Sequence, residues 1–167
     1  VTPKHLPVIQ DNQNADLCTP CGGKCCKAIP GIYWPEDFGS DRDEVIANVR
    51  AAIATGKTTL DYWESVTSDD MYYPRPAVKG MEGASVDPSE GGECTHLTAT
   101  GCALTWTQRP TQCRALEPKP GRGYWVHAGR VSDSLSRACE APPAYATKLA
   151  AATAWQGYDL FAVAADE

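Results

Sequence analysis

The chain lacks a polybasic run, an apolar stretch near the ~20 residues that span a bilayer, an internal repeat and a heptad pattern. The scattered Lys and Arg, 15 against 21 Asp and Glu, leave a net charge of −6, which argues against a nucleic-acid partner. The missing apolar run argues against a membrane role. The opening V-T-P-K-H-L-P-V-I-Q has no apolar h-region and no small-residue cleavage pattern, so the expected setting is the cytoplasm. There is no H-E-x-x-H, no nucleophile elbow and no Ser/His/Asp spacing, so no familiar hydrolytic site is readable. A-T-G-K-T-T at 54–59 falls short of a phosphate loop, because Ala51 stands where that motif needs its first glycine.

What the chain does have is cysteine in clusters. Cys18, Cys21, Cys25 and Cys26 fall within nine residues, C-T-P-C-G-G-K-C-C, and Cys94, Cys102, Cys113 and Cys139 follow far downstream. Eight cysteines in 167 residues lie below the roughly 8–10% of short secreted disulfide scaffolds. In a reducing compartment, closely spaced thiols are more often metal ligands.

Cys18-x2-Cys21 is a chelating spacing, since two intervening residues let both sulfurs reach one ion. The adjacent Cys25-Cys26 pair is awkward for a single tetrahedral ion, because neighbouring side chains diverge. It suits two centres better, one thiol each. Eight thiols then divide into two sets of four, zinc or iron–sulfur, with the downstream cysteines completing both. Spacing does not assign the distal thiols or separate the two metals, because both accept four sulfurs. Two alternatives stay open: four disulfides, disfavoured by the short strained loops that the C-C pair would force, and one metal site beside structural or free thiols. Lys24, Lys27, Arg109 and Arg114 lie beside the thiols and are expected to offset thiolate charge as donors to sulfur.

The quoted cluster, followed by W-P-E-D-F and then by C-T-H-L-T-A-T-G-C-A-L-T-W-T-Q-R-P-T-Q-C-R-A-L-E-P, resembles the YkgJ-type CxxCxxxCC cysteine-cluster family, described as zinc- or iron-chelating domains. Cys18, Cys21, Cys25, Cys26, Cys94, Cys102, Cys113, Arg109, Pro110 and Arg114 occupy positions of that pattern, and Cys139 fits a further downstream cysteine. The resemblance covers roughly 18–39 and 94–139. It implies chelation without a defined activity. A related cluster occurs in flagellin lysine N-methylases, which keeps an enzyme reading in view.

The expected fold class is α+β: a small irregular single domain over 1–167, organised around cysteine metal centres, with two helices and short antiparallel hairpins. Residues 1–17 read as an extended arm, 40–93 as an insertion and 142–164 as a C-terminal helix kinked at Gly157. Ser40 is expected to cap a helix over 41–55 with Val45, Ile46, Val49 and Ile53 as its apolar stripe and Gly56 as its stop. Strands are expected at 59–65, 71–76 and 124–130, and a hairpin over 94–106. Glu82, Asp87, Glu90 and Glu93 read as a solvated acidic loop, and His96 as an ordinary hairpin residue beside its weaker reading as a ligand. The leading functional expectation is a non-enzymatic, mainly structural metal site that presents a surface to a protein partner. The alternatives are an iron–sulfur redox or methyl-transfer enzyme and a metal-stapled part of a larger assembly.

Overall fold

Asp41, not Ser40, starts the first helix, α1 (Arg42–Ala54): its Oδ1 accepts from the Glu44 amide at 3.0 Å. Glu44 reaches back past that cap, and its Oε2 accepts from the Ser40 amide at 2.8 Å and from the Ser40 hydroxyl at 3.2 Å. Ser40 is therefore used as a donor, which moves the cap one residue on. Val45, Val49 and Ile53 are buried, as their spacing along one helical face dictates. Gly56 ends α1 at φ +73°, a conformation that costs a residue with a Cβ and costs glycine little.

The structure is a computed structural model and describes residues 26–27, 29–63, 71–87, 89, 91–115 and 151–165. After α1 the chain enters β1 (Thr58–Trp63), paired antiparallel with β2 (Met71–Pro76) in the register Thr58↔Pro76 to Trp63↔Met71. Two prolines in a strand need an outward position for their missing N–H. Pro74 has it, since its carbonyl faces away from β1 and accepts from the Tyr33 amide at 3.0 Å. On the other side of β1, Leu60 bridges to Val86, so the loop after β2 returns alongside the ribbon.

A second, smaller pair joins β3 (Leu97–Thr98) to β4 (Gly101–Cys102), within the expected 94–106 hairpin. A single 3-10 turn over Trp106–Gln108 leads to the short α2 (Thr111–Ala115). Near the C-terminus, residues 151–154 are helical, the chain turns at Gly157 (φ +88°) and Asp159 (φ +39°), and α3 (Leu160–Ala165) follows. The expected kink is thus a full interruption, because two positive-φ positions within three residues cannot continue a helix. The expected strand at 124–130, the arm at 1–17 and residues 142–150 lie outside the described residues.

One apolar core joins α1, the β1–β2 ribbon, Ile32 and Trp34, and the C-terminal Ala151, Ala152, Trp155, Leu160 and Val163. The segment 40–93, expected as an insertion, is the frame of this core, supplying Val45, Val49, Ile53, Leu60 and Tyr73. Residues 91–115 contribute nothing to it. The architecture is α+β, helices with small antiparallel sheets, and among the described residues no helix is long and apolar enough to cross a membrane.

The acidic loop is not uniformly solvated. Asp87 is fully buried against Arg75, itself fully buried, with Nη2 to Oδ2 at 3.4 Å. Arg75 Nε also donates to Asp61 Oδ2 at 2.8 Å, its diagonal neighbour across the ribbon. A guanidinium between two carboxylates allows Asp87 to be buried. Glu82 and the Lys79–Glu93 ion pair do lie at the surface, and Glu90 is outside the described residues. Burial first, then the Asp61 carboxylate beside it, pushes the Tyr73 phenol above its ordinary range.

Candidate metal centre

Cys26 lies in a short helical piece and is joined to Cys94 through the backbone: the Cys94 amide donates to the Cys26 carbonyl at 2.7 Å. This bond brings Cys26 to the first downstream cysteine. Cys94 is 5% exposed and bridges antiparallel to Val78, at the seam where the loop after β2 returns. Leu97 pairs with Cys102 across the β3–β4 turn, and Thr98 Oγ1 donates to the Gly101 carbonyl at 2.7 Å to tighten it.

Cys113 is held differently. It sits in α2, with its sulfur against the Cα of Gly31: a Cβ built on Gly31 would lie 2.2 Å from Sγ, far inside contact distance. Only glycine leaves that space. On one side of Cys113, Gln112 Oε1 accepts from the Ile32 amide at 2.7 Å and the Gln112 amide donates to the Ile32 carbonyl at 3.2 Å. On the other side, Arg114 Nη2 donates to Asp37 Oδ1 at 2.5 Å and to Thr111 Oγ1 at 2.9 Å.

Asp37 is the hub of this junction. It also accepts from the Trp34 amide at 2.9 Å, the Thr111 amide at 2.8 Å and the Thr111 hydroxyl at 2.9 Å. Thus W-P-E-D-F and R-P-T-Q-C-R, far apart in sequence, form one polar joint.

Tyr33 feels the charge of several of these groups. Its phenol is pushed up by burial first, then by the charge of Cys113, Asp37, Cys94 and Cys102. Tyr33 also ties this region to the core, since its carbonyl accepts from the Trp155 indole at 2.8 Å and its ring meets Phe38 at 5.1 Å. Among the described residues no three His, Cys, Asp or Glu side chains form a ligand group for one ion. Cys18, Cys21, Cys25 and Cys139 lie outside the described residues, and so does the division of the eight thiols into sets.

The basic residues expected as donors to sulfur separate. Lys24 is outside the described residues, and Lys27 is exposed beside Cys26. Arg109 stacks over Trp106, 5.4 Å from the ring centroid, and its Nε donates to the Leu104 carbonyl at 3.3 Å. Arg114 spends its guanidinium on Asp37, Thr111 and the Arg109 carbonyl. His96 is half-buried, and burial first, then the Lys57 ammonium, lowers its pKa. The sequence did not single out Asp37, Gln112, Gly31 or Tyr33; only the acid of W-P-E-D-F carried a signal, without a partner.

No family model matches the chain, and no curated protein or solved structure is significantly similar to it. The likeness to the cysteine-cluster family accordingly rests on the quoted motifs.

Proposed function

We propose that this is a metal-binding protein, organised around cysteine centres, that holds zinc or an iron–sulfur cluster mainly as a structural fastener and presents an interaction surface to a protein partner. One observation carries the reading: three of the four described cysteines lie in residues 91–115, where Cys94, Leu97 and Pro110 are buried but no residue joins the main apolar cluster. A stretch with so little apolar anchorage needs another source of order, and thiolate coordination supplies it, because metal-binding free energy is folding free energy.

The donor chemistry fits. Cys26, Cys94, Cys102 and Cys113 are soft sulfur donors, the Cys94 amide is bonded to the Cys26 carbonyl, and the sequence just before Cys26 carries Cys18, Cys21 and Cys25. These seven and Cys139 would hold the metal. Bound zinc or iron would supply crosslinking, while the chain positions the thiols, keeps them partly from water and carries Lys27 to offset charge. A cytoplasmic setting, where thiols stay reduced, suits the role.

Elemental analysis of anaerobically purified protein, with a visible spectrum, tests it. About one or more zinc or iron per chain is expected, with broad absorption near ~400 nm if iron is present. Chelation should then abolish near-UV CD from the thiol region. Absence of stoichiometric metal, with all eight thiols reactive in denaturant, would overturn the proposal.

A further inference from the structure

Cys113 is a described thiol whose neighbours on both sides in sequence are engaged, through their side chains, with one other segment. Gln112 is bonded to Ile32 and Arg114 to Asp37, while the sulfur rests on Gly31 between them in space. Asp37 is 5% exposed and Arg114 16%, so their charge-assisted bond is little diluted by water. Thr111 adds two donors to the same carboxylate, and the Arg114 fork also reaches the Arg109 carbonyl. The first turn of α2 is thereby fixed at several points to 31–37, in both rotation and depth.

A helix of five residues cannot hold its own orientation by internal hydrogen bonds. The direction of the Cys113 sulfur is therefore set by the joint. We infer that Asp37, Arg114 and Gly31 are positioning residues for Cys113: they aim its thiol toward the other cysteines without touching a metal themselves. The inference rests on reading Cys113 as a ligand, and it gives Arg114 a second role beside the expected one. Its charge neutralises a buried carboxylate, and through that bond it orients the thiol. Partners that orient a ligand typically matter 10–100-fold in metal affinity.

Two measurements on the full chain test this. In the first, cobalt(II) titration follows thiolate-to-metal absorption. Asp37→Ala and Arg114→Ala are each expected to weaken cobalt binding by about 10–100-fold. The double variant should lose no more than the worse single, because the pair acts as one unit. Arg114→Lys, which keeps the charge without the fork, should recover only part. Gly31→Ala should reproduce the loss with Asp37 and Arg114 intact.

In the second, the as-purified protein is alkylated with iodoacetamide and each cysteine is followed by mass spectrometry. The Cys113-to-Cys102 rate ratio is expected to rise severalfold in Arg114→Lys and Gly31→Ala. An unchanged ratio in both overturns the inference, as does a parallel rise at Cys94, Cys102 and Cys113, which reports loosening of the whole region. If the wild type takes up no cobalt, the proposed function falls while the ratio still judges the joint.

Discussion

Leu60 and Cys94 are both buried, at 0% and 5% exposure, and they are buried by different means. Leu60 sits in a ribbon covered by the apolar stripe of α1 and by the C-terminal segment, so its place follows from the area that its neighbours remove from water. Cys94 sits among hydrogen bonds: its amide on Cys26, Thr95 on Ala77, Lys79 on Glu93, with the Asp37 joint beyond. Burial is non-directional and tolerates adjustment. Directional bonds fix positions but contribute about 1 kcal/mol each, and they do not make a stretch self-supporting. The comparison teaches why thiols fall where they do: three of the four described cysteines lie in 91–115, the stretch with the fewest apolar anchors.

The largest effect is expected from a residue that mixes the two modes. Arg75 is a fully buried cation inside the apolar half, held by Asp61 and Asp87. Arg75→Ala would strand two buried carboxylates, and a loss of about 3–5 kcal/mol in urea denaturation is expected. It should unfold the ribbon and, through Asp87, release the loop that leads to Cys94. A loss below about 1 kcal/mol would mean that the apolar half does not depend on its polar insertion, and the contrast between the halves would be sharper than described.

Arg75 also shows what the sequence could not say. In M-Y-Y-P-R-P nothing distinguishes it from a surface arginine, and its partners are 14 and 12 residues away on different segments. The reading of Asp87 as a solvated acid failed for the same reason: burial of a charge depends on a partner that only the fold supplies. By contrast, α1 was legible, because its stripe, first-turn acids and stop glycine are all local. The β1–β2 ribbon was legible to within one residue at its start, while residues 64–65 of the expected first strand lie outside the described residues. For the thiols, spacing identified the residues but not their company. The contact of Cys113 with Gly31 and the Asp37–Arg114 bond, 77 residues apart, belong to tertiary structure alone.

A smaller effect tests whether the halves are separable. Asp41 caps α1, the helix that lays Val45, Val49 and Ile53 into the apolar core. Asp41→Ala is expected to cost about 1 kcal/mol in global unfolding. Iodoacetamide rates at Cys102 and Cys113 should stay at wild-type values in buffer. A matching rise at those thiols would show that the cysteine region is anchored through α1, and the two modes of burial would not be independent.

The smallest effect is expected at the seam itself. Lys79 and Glu93 form an ion pair where the loop after β2 meets the cysteine region, with side chains 43% and 41% exposed. Water screens such a pair, and exposed pairs contribute about 0.2–1 kcal/mol. Beneath it the Lys79 amide donates to the Glu93 carbonyl at 2.8 Å, and Val78 bridges to Cys94. Those backbone bonds do not need the ammonium. Lys79→Ala should therefore shift the urea midpoint by no more than the equivalent of about 0.5 kcal/mol, at low and high salt alike. A loss above about 1 kcal/mol that vanishes at high salt would place the hold between the two regions in surface charge, with backbone pairing in a lesser role.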